Sequence, residues 1–193
     1  MLKYLYQSIM ATLVLGVLVC GVYPLLVTVI GQAVFPAQSK GSFIYRGDGK
    51  AIGSRLIGQT FSKPEYFHSR PSAAGTGYDA ANSSGSNLGP TNQKFVDGLK
   101  ANIEAVLKDN PTLKKGEIPS DLVTASASGL DPHISPEGAY AQVDRVAHAR
   151  GIESSKLKAL VEDKIEGFQV GFLGERVVNV LELNLALDQL NKK

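Results

Sequence analysis

Residues 9–30 read IMATLVLGVLVCGVYPLLVTVI, and no charged side chain occurs between Lys3 and Lys40. At about 1.5 Å per residue this stretch makes a helix of about 33 Å, close to the hydrocarbon thickness of a bilayer. A cleaved secretory signal has an apolar region of only about 7–15 residues before a small-x-small site, so the run is too long for one. Cys20 does not make it a lipoprotein signal: Val19 stands where a small residue is expected, and the apolar run continues past the cysteine. The reading is one transmembrane helix, with residues 1–35 as tail and span and residues 36–193 as one folded domain.

Orientation is less direct, because Lys3 lies on one side of the span while Lys40, Arg46, Lys50 and Arg55 lie on the other. Long domains cross membranes regardless of such charges, and a very short N-terminal tail favours staying inside. The expectation is a cytoplasmic N-terminus and an extracytoplasmic domain. Every fourth residue of the span is small or hydroxylated: Ser8, Thr12, Gly16, Cys20, then Pro24 and Thr28. Such a row lets a second helix approach closely, so Ser8, Thr12, Gly16 and Cys20 are candidate partner-binding residues.

The rest of the chain is nearly neutral. Lys and Arg number 20 against 18 Asp and Glu in the whole sequence, which leaves no electrostatic footprint for nucleic acid. With Cys20 the single cysteine, the domain must hold together by packing. An α+β class is expected from the order of elements. A hairpin runs over Phe43–Arg46 and Ala51–Ile57 around Gly47-Asp48-Gly49, and a Ser/Gly/Asn-rich loop occupies 71–90. A helix capped by Thr91 ends before Pro111, and an extended piece covers Asp121–Thr124. A second helix opens at Ser135-Pro136 and closes near Gly151, and a third covers Ser154 to Ile165. Val170–Leu173 reads as a strand. Val177–Leu190 alternates like a strand, yet Asn179 with Glu182 resembles a capping box, which favours helix.

Chemistry is sparse. There is no G-x-x-x-x-G-K-[ST] phosphate loop, and His68, His133 and His148 have no second ligand at metal spacing, so no metal site is expected. Ser155 and Lys158 form an S-x-x-K, but the S-D-N and K-T-G elements of the corresponding hydrolases are missing, so no catalytic residue is assigned. Two small polar segments remain as candidate partner-binding sites: the loop containing Ser86 and Asn87, and the turn containing Ser126, Ser128 and Asp131.

Several strings occur in order: Gly21-Val22-Tyr23-Pro24-Leu25, Leu56-Ile57-Gly58-Gln59, Tyr66-Phe67-His68, Arg70-Pro71-Ser72-Ala73, Gly85-Ser86-Asn87-Leu88, Val123 to Asp131, and Val178 to Asp188. On these the chain resembles the C subunit of the Kdp-type potassium-transporting ATPase over nearly its whole length. The resemblance implies a bacterial inner-membrane complex that takes up K+ with high affinity. One subunit would be channel-like and potassium-translocating, a second a P-type ATPase, and the present one a non-catalytic companion needed for assembly and activity. It also implies a catalytic chaperone that raises the ATP affinity of the ATPase subunit, with ATP as a possible direct ligand. Two mechanisms stay open: docking of the domain over the outer mouth of the channel-like subunit, where the Ser86-Asn87 and Ser126-Ser128-Asp131 segments would hold it or guide K+, and an effect on nucleotide affinity. Outside the family the alternatives are a membrane-anchored Ser/Lys hydrolase and a freestanding anchored binding protein.

Overall fold

The structure, a computed structural model, describes residues 1–47 and 49–190. The chain divides into two compact units, Met1–Ser54 and Arg55–Lys193.

The first unit is built on one continuous helix, Leu2–Val34, none of whose apolar window is buried. It runs longer than the expected span at both ends. Tyr4 and Tyr6 are exposed near one end, the belt chemistry of a membrane–water interface, and Phe35 is exposed near the other. Within it, α1 (Leu2–Gly16) and α2 (Tyr23–Val34) flank a π-helical segment, Val17–Val22. Pro24 is the cause: it has no N–H for the carbonyl of Cys20, and its ring would clash there in regular α geometry. The chain widens instead, and the Tyr23 N–H bonds Leu18 O, five residues back. After a short helix α3 (Pro36–Ser39), β1 (Phe43–Tyr45) and β2 (Ala51–Ser54) form an antiparallel hairpin with a bulge between Ile44 and Tyr45. Asp48 of the expected turn lies outside the described residues.

The second unit is α+β, as its sequence pattern implies. Its sheet has the order β3-β5-β4, all antiparallel: β3 (His133–Ile134), β4 (Ile165–Glu166) and β5 (Val177–Asn179). Helices α5 (Pro136–Tyr140), α6 (Val143–Arg150), α7 (Ser154–Asp163) and α8 (Val180–Leu190) enclose a core of Phe67, Ile134, Val143, Val146, Leu157, Val161, Val178, Leu183 and Leu187. Each of the larger side chains contributes about 1.5–3 kcal/mol relative to exposure.

Several boundaries differ from expectation for identifiable reasons. Helix α4 (Gln93–Asp109) is capped by Asn92, whose side chain accepts from the Lys94 N–H at 2.9 Å, and not by Thr91. Asp121 lies in a 3-10 turn, Ser120–Leu122, so that its carboxylate can accept the Ser135 N–H at 2.6 Å and pin the start of α5. The expected second helix breaks between Tyr140 and Val143. There the Gln142 side chain takes Gly138 O at 3.0 Å while its own N–H turns to Ala139 O. Ile165 leaves α7 to pair with Val178 in the sheet. Val170–Leu173 is the turn of a ribbon bridged between Gln169 and Leu173, because Val170 (φ +52°), Gly171 (φ +84°) and Gly174 (φ +81°) cannot continue a strand. The C-terminal stretch is first strand, Val177–Asn179, then helix; Asn179 is the switch point, its Oδ1 accepting from Glu182 N–H at 3.2 Å.

Candidate functional site

The membrane helix offers a shallow groove, lined by Thr12, Leu13, Gly16, Val17, Cys20, Gly21, Val22 and Leu25. Three of the four candidate residues, Thr12, Gly16 and Cys20, are thus brought together. Ser8 is one turn away, its hydroxyl returned to Tyr4 O at 2.9 Å. A Cβ placed on Gly16 would meet nothing within 4 Å, so the gap is available to an approaching helix.

In the second unit the two small polar segments are interlocked. Ser72 Oγ donates to Gly129 O at 2.6 Å and accepts from the Tyr78 N–H at 2.8 Å, and Tyr78 in turn donates its hydroxyl to Arg70 O. Ser128 O accepts from Ser84 N–H and Ser83 Oγ. Glycines permit the contact: a Cβ on Gly85 would lie 2.7 Å from Ala127 O, and Gly129 holds φ +67° with Ser84 O and Ala74 N as close neighbours. The long loop is therefore a folded platform on the 123–131 turn. Its candidate residues separate on it: Ser86, Asn87 and Ser128 are exposed, Asp131 is half-buried, and Ser126 is buried.

Asp131 anchors the platform's rim. It accepts from Arg70 at 3.0 Å and from the His133 N–H at 3.0 Å. Burial alone would raise its carboxyl pKa, but hydrogen bonds from His133 and the nearby Arg70 guanidinium hold it below the usual carboxylate range. Arg70 and Asp131 line an open cleft of about 550 Å³ with Asp121, His133, Glu137 and Arg176. The Arg70 Nε is buried and has no hydrogen-bond partner among the described residues.

Sequence reading missed a second polar construction. The segment 64–70, a turn followed by irregular chain, is held by side chains in place of a strand: Asn184 bonds both N–H and C=O of Phe67, and Gln142 does the same for His68. Arg145 donates to Pro64 O (2.6 Å), Tyr66 O (2.9 Å), Asn110 Oδ1 (3.1 Å) and Gln142 Oε1 (2.7 Å). Burial pushes the His68 imidazole below its ordinary pKa, and the Arg145 charge adds to that. Lone Asn, Gln and Arg at irregular spacing give no sequence signal for such a hub.

Ser155 and Lys158 are both exposed on the first turns of α7, and among the described residues no group of three His, Cys, Asp or Glu side chains could hold a metal.

Residues 5–189 match the family model described as the K+-transporting ATPase c chain, KdpC. The chain is 54% identical to a potassium-transporting ATPase KdpC subunit of Koribacter versatilis, covering 97% of this chain and 95% of the relative. It is 52% identical to the one from Nitratidesulfovibrio vulgaris (98% and 96%) and 51% identical to the one from Geotalea uraniireducens (99% and 100%).

Proposed function

The chain belongs to the KdpC family, the c chain of the K+-transporting ATPase, and from that membership we propose that it serves an ATP-driven potassium-uptake complex as a non-catalytic, single-span accessory subunit. Its partners are a channel-like potassium-translocating subunit, a P-type ATPase subunit and the lipid bilayer. The observation that carries this is the family match across residues 5–189, helix and folded unit together. The groove at Thr12, Gly16 and Cys20 supports a role inside the bilayer, since close helix approach is what small residues there allow. The hydrolase and freestanding-binder readings have no comparable support.

The domain carries no phosphate-cradling loop, so the reading favours docking against partner subunits over direct ATP contact. Any gain in ATP affinity of the ATPase subunit is then transmitted through protein contacts. The platform edge at Ser86, Asn87 and Ser128 is exposed and rigidly backed, which suits it to meet the channel-like subunit.

Purification of the full chain in mild detergent, co-expressed with the channel-like and ATPase chains, should recover all three with K+-stimulated ATP hydrolysis. A chain recovered alone under conditions that preserve other complexes would overturn the assignment. In the same preparation Gly16→Leu fills the groove, and recovery of partner chains should fall at least fivefold; unchanged recovery would remove the groove from the interface. A topology reporter fused after Lys193 should read outside the cytoplasm. A cytoplasmic signal would reverse the orientation and return direct nucleotide contact to consideration.

A further inference from the structure

Residues 167–174, the apolar part of the ribbon joining β4 to β5, read GFQVGFLG, with Gln169 the one polar side chain among them. Phe168 is 50% exposed, Val170 82%, Phe172 74% and Leu173 51%. These side chains are not on a slack loop. Gln169 N–H bonds Leu173 O at 2.8 Å and Leu173 N–H bonds Gln169 O at 2.9 Å, which closes a tight turn.

Folding of the unit does not account for this composition. Each exposed apolar side chain forgoes the gain of burial, and none joins the core cluster. Val170 adds a second anomaly. A β-branched residue at φ +52° is strained where Asn or Gly would be at ease, and its side chain packs on almost nothing. Valine at this position serves neither the turn nor the core, and strain of this kind persists where a contact uses it.

We infer that the ribbon is a docking knob that inserts into an apolar pocket on another protein subunit of the same complex; this rests on the accessory-subunit reading. The charges at its base choose protein over lipid. Segments that insert into membranes set aromatic residues beside free basic ones that attract anionic headgroups. Here Glu162, Glu166 and Glu175 flank the ribbon, and the cations near its base are already paired: Arg55 to Glu166 and Glu182 at 2.8 Å each, Lys164 to Asp163 at 2.9 Å, Arg176 to Glu162 at 3.5 Å. An apolar centre ringed by charges, with its arginines held in ion pairs, is the anatomy of a protein interface, with aromatic anchors inside and a polar rim that excludes water.

The test uses the full chain co-expressed with its partner subunits and carrying Phe172→p-benzoylphenylalanine, an aromatic replacement that reacts with C–H bonds on illumination. The expected result is a covalent adduct to another protein subunit, identified by mass, and no such adduct when the probe replaces exposed Lys158. Val170→Asn, which suits the left-handed backbone, should cut adduct yield at least tenfold while leaving the thermal unfolding midpoint unchanged or higher. A probe that labels only lipid, a second copy of this chain, or nothing, in a complex that still co-purifies and hydrolyses ATP, overturns the knob and leaves the accessory-subunit reading intact. Failure of the unsubstituted chain to bring partners sinks both.

Discussion

Replacing Gly129 by alanine is expected to lower the stability of the folded unit by about 3 kcal/mol or more, from two additive causes. The left-handed conformation at φ +67° costs a side chain about 1–2 kcal/mol. The new Cβ would also lie 2.6 Å from Ser84 O, 2.7 Å from Ala74 N and 2.8 Å from Ala74 Cβ, and the first two of these are backbone that cannot swing aside. The loop must then lift from the turn, which breaks the Ser72 and Ser128 hydrogen bonds that join them. For a unit of this size such a loss lowers the thermal midpoint by about 6–12 °C, measurable on the full chain in mild detergent. Gly151→Ala is the control. Gly151 has nearly the same φ, +64°, with nothing within 4 Å of where the added methyl would sit, so it should show the conformational cost alone. Equal shifts for the two variants would mean that the platform is not interlocked as described.

Arg145→Met should cost about 3–4 kcal/mol, read as a shift in denaturant midpoint. Methionine keeps the aliphatic stem but supplies no donor, leaving two backbone carbonyls and the side-chain oxygens of Asn110 and Gln142 without the guanidinium. Each deprived acceptor costs about 1–3 kcal/mol, and the total falls short of the sum because the site lies near enough to the surface for water to reach part of it. Arg145→Lys should recover less than half of the loss, since one ammonium cannot reproduce a planar fork aimed at four oxygens. Wild-type stability in the lysine variant would show that charge alone matters there.

Much of this architecture was legible in the sequence, because it depends on local rules. The charge-free apolar run gives the membrane helix, Ser135-Pro136 gives the start of α5, and Asn179 with Glu182 gives the start of α8. What escaped depends on contacts between residues distant in sequence. The break at Gln142 follows from where its side chain goes, the turn at Val170 violates the preferences of valine, and Ile165 is taken by Val178 from the far side of the ribbon. The candidate residues divide the same way. Spacing by four groups Thr12, Gly16 and Cys20, which line one groove of the helix, whereas composition could not distinguish exposed Ser86 from buried Ser126.

The π segment at Val17–Val22 has a consequence for how the span meets its surroundings. Each residue of an α-helix turns the chain by about 100°, and a π turn accommodates one residue more than α geometry would. The bearing of every side chain from Pro24 onward is therefore set back by about that angle from an unbroken helix, which offsets most of the drift that a spacing of four builds up, so a neighbour that meets Thr12 and Gly16 also meets Pro24 and Thr28. One small-residue face thus continues across the break, and deleting a single residue from the π segment would close the bulge and leave the two halves of that face aligned.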